Sequence, residues 1–221
     1  MFPMLLMMSA QADIAPPRSP AQRARDAAAR AVERCGPLYE IEEVAFTFVV
    51  ERGGEEVARR RHVWQPTAGT LTVTMGEQTT TMQTTASMPT DASSPEWATL
   101  APGTDAQQAQ DAWGAFVNDS YWLLAPCKLN DEGNRKELGD GGLIVSYEGV
   151  GLTPGDVYTF AIRGGEVVIW SFTLVSGRAG KFIWSPYTEV GPLNLSLRRE
   201  AAEGDMAVSY THLTLPTIQP V

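Results

Sequence analysis

Two histidines, His62 and His212, and two cysteines, Cys35 and Cys127, are the scarcest reactive side chains of this 221-residue chain. Catalytic zinc and iron centres are normally built from several histidine and carboxylate ligands. One histidine on a strand and one near the C-terminus fall short of that, and no metal site is assigned. A Ser-His-acid triad would turn on His62 alone, and no Gly-x-Ser-x-Gly elbow occurs to present a nucleophile. Between Arg61 and Val63, His62 reads as an ordinary strand histidine. Cys35 and Cys127 are either a disulfide of an exported chain or two buried thiols. Asp131-Glu132-Gly133 and Asp140-Gly141-Gly142 have the residue types of a calcium loop without its ligand spacing. Gly151–Gly155 is a Gly/Pro turn lacking the lysine of a phosphate-binding loop. No catalytic residue and no cofactor is assigned. A hydrolase using carboxylates outside any recognisable motif is the enzymatic alternative.

The chain is better supplied for apolar binding than for reaction chemistry. Trp64, Trp97, Trp113, Trp122, Trp170 and Trp184 each have about 150–250 Å² to bury. They form either a large core or part of an apolar cavity between a sheet and Tyr121–Pro126. The candidate cavity lining is Phe46, Phe48, Trp64, Tyr121, Trp122, Leu124, Phe160, Trp170, Phe172 and Trp184. The Ser/Thr/Pro-rich stretch Ala86–Thr104 is long enough for a lid, since loops of that length usually serve a function.

Positioning such a lining requires a sheet with one apolar face, and the period-two patterns supply it. Val44, Phe46, Phe48 and Val50 alternate along Tyr39–Arg52, and Gly53-Gly54 turns the chain into Glu56–Gln65. Thr70–Met75 and Thr79–Thr85 continue the antiparallel run. Leu143–Tyr147, Val157–Arg163, Glu166–Val175, Lys181–Tyr187 and Leu193–Arg199 form a second meander. Lys128–Gly142 reads as a polar loop. Two helices are predicted. The first follows the capping box Ser19-Pro20-Ala21-Gln22, runs through Ala24, Ala28, Ala31 and Cys35, and stops at Gly36-Pro37. The second starts near Thr104-Asp105 with Ala109, Ala112, Trp113, Phe116 and Val117 as its apolar stripe, and Asn118-Asp119 breaks it. The fold class is α+β: one curved antiparallel sheet of eight or nine strands, an open half-barrel with both helices on one face.

All 17 basic and 26 acidic residues lie between positions 13 and 207. A formal charge of −9 makes the chain a poor polyanion binder, which excludes nucleic acid as the expected partner. Met1–Ala12 is an apolar run ending in Ala10-Gln11-Ala12, the pattern left of a signal-peptidase cut. It is too short to span a bilayer and reads as a truncated signal peptide, with an apolar segment docked on the body as the alternative. Residues 13–19 form a Pro-rich linker. Val208–Thr217 resembles the translation of a transposase-adapter sequence used in DNA library preparation, so residues 208–221 are expected to be a non-native tail and the domain to span 20–207.

Tyr121-Trp122-Leu123-Leu124-Ala125-Pro126-Cys127-Lys128-Leu129 and Val145–Tyr158, with its Tyr147-Glu148-Gly149-Val150-Gly151-Leu152-Thr153-Pro154-Gly155-Asp156 core, carry a family resemblance. Together they resemble exported bacterial proteins related to outer-membrane lipoprotein-sorting proteins, of LolA/LolB-like fold. The similarity extends more loosely over Tyr39–Arg199. Cys127 stands where an aromatic residue is expected, and Asp131-Glu132-Gly133 where Asp-Pro-Gly is usual. The resemblance implies an open half-barrel covered by helices and a hydrophobic small molecule or lipoprotein acyl chain as ligand, with peripheral membrane contact. The expected function is therefore a periplasmic or secreted, non-enzymatic binding module. A fully packed structural or interaction protein without a ligand is the alternative, because fold alone does not establish function.

Overall fold

The computed structural model describes residues 18–84, 98–100, 105–131, 134–147 and 154–215. The expected signal segment, the linker up to residue 17 and most of the expected lid lie outside them. Helix α1 (Pro20–Cys35) begins as its sequence requires: the Ser19 side chain accepts the Gln22 N–H at 3.1 Å, and Pro20 occupies the first turn. Gln22 completes no reciprocal box: its side-chain oxygen accepts from Arg25, and its amide N–H donates to Asp26. Gly36 ends the helix at φ 105°, where a Cβ would sit 2.4 Å from the Pro192 carbonyl. Only glycine fits that approach.

Two antiparallel hairpins open the sheet: β1 (Val44–Arg52) with β2 (Glu55–Gln65), and β3 (Thr70–Met75) with β4 (Gln78–Thr84). Strand β5 (Ala98–Leu100) pairs with β4, which places part of the expected lid in the sheet. Helix α2 (Ala106–Leu124) is capped by Asp105, whose carboxylate accepts the Gln108 N–H at 3.0 Å. The predicted break at Asn118-Asp119 does not occur. Asp119 faces the core as a buried member of the helix, and the chain tightens only at the 3₁₀ turn Ala125–Lys128.

The second half contributes β6 (Asn134–Gly139), β7 (Gly142–Tyr147), β8 (Val157–Arg163), β9 (Glu166–Thr173) and β10 (Ala179–Trp184). Strand β6 corrects the polar-loop reading of Lys128–Gly142. Among the described residues it is an edge strand, and its side chains are mostly polar because none of them is buried. The predicted strand Leu193–Arg199 is two strands in different sheets. β11 (Tyr187–Val190) and β12 (Leu193–Ser196) form a separate two-stranded sheet, and β13 (Arg198–Ala201) rejoins the main one.

The last strand, β14 (Met206–Thr214), lies between β1 and β13. Residues 208–214, left out of the fold on their sequence, thus occupy a central strand, with Val208 and Tyr210 buried. Its register with β1 slips between Ala45 and Thr47, where β14 carries an extra residue and His212 takes φ 50°. Among the described residues the main sheet has twelve strands, in the order β5-β4-β3-β2-β1-β14-β13-β10-β9-β8-β7-β6, rather than the eight or nine expected, and its end strands β5 and β6 are not paired to each other, so it is open. One core cluster unites the apolar stripe Ala24, Ala28, Ala31 and Cys35 of α1, the inner stripe of α2 and the inward sheet face.

Candidate functional site

Strand parity places seven of the predicted lining residues and α2 the other three, and nine of the ten are buried: Phe46, Phe48, Trp64, Trp122, Leu124, Phe160, Trp170, Phe172 and Trp184 are all at most 7% exposed. Tyr121 is half-buried. They do not form one lining but two ring clusters. Under β1 and β2, Phe46 packs on His62 at 4.8 Å between ring centres, Phe48 on Tyr210 at 5.6 Å, and Trp64 on Phe116 at 5.6 Å. Under β8, β9 and β10, Trp170 is the hub. Trp122 meets it edge-on at 4.6 Å, Phe160 lies parallel at 6.2 Å, and Trp184 meets it at 6.1 Å. Trp122 also packs on Phe182 at 4.7 Å, and Tyr121 on Tyr158 at 5.1 Å.

Arg199 joins the two clusters. Its guanidinium stacks 3.9 Å from the Trp184 ring and 5.1 Å from that of Tyr210, and the residue has no exposed surface. It donates to the carbonyl of Ser196 and, at 3.4 Å, to that of Leu123 in the last turn of α2. No carboxylate pairs with it among the described residues, so the negative end of the helix dipole and two aromatic faces carry the charge. Burial lowers its pKa to about 10. The Nε–H of Arg199 and the indole N–H groups of Trp170 and Trp184 make no hydrogen bond among the described residues. Arg199 was legible in principle: Leu193, Leu195, Leu197 and Arg199 share one parity.

A second polar device lies beside the first cluster. Arg60 donates two hydrogen bonds of 2.7 Å to Asp119, and His62 Nε2 lies 2.8 Å from the same carboxylate. Asp119 and His62 are fully buried. The Tyr210 hydroxyl donates to the Asp119 carbonyl at 2.7 Å. This resembles half a triad, but His62 Nδ1 has no partner among the described residues, so no nucleophile stands on the other side of the ring. The geometry pins α2 to β2.

The second cluster meets polar groups at Tyr121 and Tyr147, where the Tyr147 hydroxyl donates to that of Tyr121 at 2.9 Å. Burial pushes the Tyr147 hydroxyl up to about 12 and that of Tyr121 well above its ordinary value. Lys128 lies 2.7 Å from Asp131, which accepts the Tyr39 hydroxyl at 2.7 Å. Cys35 and Cys127 are joined in a disulfide with Cα atoms 5.2 Å apart, tying the end of α1 to the turn after α2. Among the described residues no group of three or more His, Cys, Asp or Glu is placed to hold a metal ion. Asp131-Glu132-Gly133 and Gly151–Gly155 lie partly outside the described residues.

No family model matches the sequence, and no curated protein matches it. The fold does match solved structures. A LolA superfamily protein from Nitrosomonas europaea superposes with a TM-score of 0.50 over 89% of this chain and 94% of its own, at 10% identity. A domain described as a putative outer membrane lipoprotein-sorting protein from Vibrio parahaemolyticus gives a TM-score of 0.40 over 90% and 95%, at 9% identity. What this chain shares with the Nitrosomonas protein is the fold: a wide, open antiparallel sheet with helices laid against one face.

Proposed function

We propose that the chain is an exported, non-enzymatic module that binds a hydrophobic ligand, an acyl chain or a lipoprotein's lipid moiety, between its sheet and the end of α2. The observation that carries this reading is the aromatic cluster around Trp170. It runs from buried Trp184 and Phe182 to half-buried Tyr121, Tyr147 and Tyr158, apolar within and hydroxyl-bearing at its margin. An amphiphile suits both ends of such a surface. The N–H groups of Arg199, Trp170 and Trp184 are donors for a carbonyl or carboxylate oxygen of the ligand. The Cys35–Cys127 disulfide supports export, because structural disulfides persist in oxidising compartments. Among the described residues no helix is long and apolar enough to cross a membrane.

The close ring-on-ring packing favours a second reading, a solid interior with partners meeting the loops. One titration separates the two. A fluorescent fatty acid added to the full chain is expected to bind saturably, to be displaced by an unlabelled fatty acid, and to change tryptophan emission. Trp170→Leu is expected to weaken binding about thirtyfold, since a buried aromatic anchor contributes on the order of 2 kcal/mol. Absence of saturable binding, with tryptophan emission unmoved, overturns the ligand reading in favour of the packed one.

A further inference from the structure

Charge on this protein is segregated. Residues 18–35 hold Arg18, Arg23, Arg25, Arg30 and Arg34 against Asp26 and Glu33, a formal +3 in a chain of −9, which leaves −12 on the remainder. All five arginines are exposed. Two of them are committed within the fold: Arg18 to Asp26 at 2.6 Å, and Arg34 to Glu166 at 2.8 Å. Arg23, Arg25 and Arg30 make no close ion pair among the described residues, Arg30 acting on Asp26 only through space. Spacings of seven and four put Arg23, Arg30 and Arg34 on one stripe, at rises of about 10 and 6 Å along the axis. The opposite side of α1, Ala24, Ala28, Ala31 and Cys35, is spent on the core. Beside the stripe, Arg30, Glu33 and Arg34 line a shallow groove of about 340 Å³ against Gly164-Gly165. There Gly165 brings the β8–β9 turn so close that its Cβ would meet Arg34 at 2.9 Å.

We infer that the outer face of α1 docks the protein on an anionic phospholipid surface. An evenly acidic protein of this net charge would be repelled by such a surface. A +3 helix in a chain whose other described residues hold 19 acidic against 12 basic side chains is attracted with α1 towards the membrane. The basic residues of the helix are all arginines, whose planar fork pairs with phosphate oxygens two at a time. The choice of a lipid surface over an acidic protein rests on the hydrophobic-ligand reading above, because such a ligand is exchanged at a membrane. The disulfide holds this helix to the turn that follows the Tyr121–Leu124 end of α2, so docking would bring that end of the ligand site near the surface.

Cosedimentation of the full, oxidised chain with vesicles is the test, using phosphatidylglycerol/phosphatidylcholine mixtures beside pure phosphatidylcholine. Binding is expected to the anionic vesicles alone, and to disappear as salt shortens the screening length. Arg23→Glu with Arg30→Glu is expected to weaken it at least about tenfold. Arg61→Glu, an exposed charge on β2, should leave it unchanged and shows that net charge is not the cause. Equal binding to both vesicle types overturns the inference, as does anionic binding that survives the double reversal. Binding to soluble polyglutamate without binding to vesicles also overturns it and gives the face to an acidic protein. Fatty-acid titration without vesicles reports on the ligand site alone, so the two readings fail separately.

Discussion

Asp119 shows how a polar residue within a helix can decide where that helix sits. Its carboxylate is removed from water, a cost met by the two Arg60 hydrogen bonds, the Asn118 amide and the His62 ring. Removing the acid while leaving its partners strands a buried histidine and a half-buried guanidinium. Asp119→Ala is therefore expected to lose about 3–5 kcal/mol of stability, nearer the lower figure because Arg60 can turn to solvent. Urea unfolding reads this directly, and a loss below about 1 kcal/mol would reduce the group to the rank of a surface ion pair. Arg199 solves a related problem without an acid, by lying over Trp184 and Tyr210 and bonding the carbonyls of Ser196 and Leu123. Both devices grip the last two turns of α2, one through Asp119 and one through the Leu123 carbonyl.

Among the elements, the disulfide does what the sequence left open. Cys35 and Cys127 are 92 residues apart, so the bridge shortens a long loop of the unfolded chain and fixes α1 to the turn after α2. Loop-closure arguments place the stabilisation at about 4–5 kcal/mol for such a separation. Cys35→Ala with Cys127→Ala should lower the melting midpoint of the oxidised protein accordingly and abolish its sensitivity to reductant. An unshifted midpoint would mean that helix packing alone seats α1. The elements that were legible had both pattern and punctuation: α1 between Ser19-Pro20 and Gly36, and β1 between a period-two run and Gly53-Gly54. The inward positions of Phe46, Phe48, Phe160 and Trp170 followed from parity. Illegible elements broke one local rule for a tertiary reason. Asn118-Asp119 looks like a helix stop because short polar side chains compete for backbone bonds, yet Arg60 claims the carboxylate first. Asn134–Gly139 looks like a loop because an edge strand needs little apolar surface. Leu193–Arg199 keeps one alternation while changing sheets at Leu197, a switch that no periodicity reports. Arg198 and Arg199 look like a solvated strand end, yet Arg199 is fully buried.

Across the whole molecule, the sheet is two antiparallel runs joined through a single strand. Strands β1 to β5 form one side of β14 and β13 with β6 to β10 the other, so among the described residues β14 alone carries the ladder from the first half of the chain to the second. It is paired along both edges, with β1 from Met206 to Thr214 and with β13 from Ala207 to Ser209. Its inward side chains serve both ring clusters: Tyr210 packs on Phe46 and Phe48, faces the Arg199 guanidinium, and hydrogen-bonds the Asp119 carbonyl. A chain ending at Ala207 would lose those contacts and leave β1 and β13 as facing, unpaired edges, the condition under which sheets associate with foreign strands. That truncation is expected to abolish a single cooperative unfolding transition and to drive the protein into aggregates, as read by calorimetry and size-exclusion chromatography. The result has a bearing beyond stability. A soluble, cooperatively folding chain without residues 208–221 would show that the sheet closes its own gap, and that the charge-free end is extraneous to the fold as its composition suggests. Loss of folding would make Val208 and Tyr210 indispensable core residues of this chain, whatever the origin of the segment that supplies them.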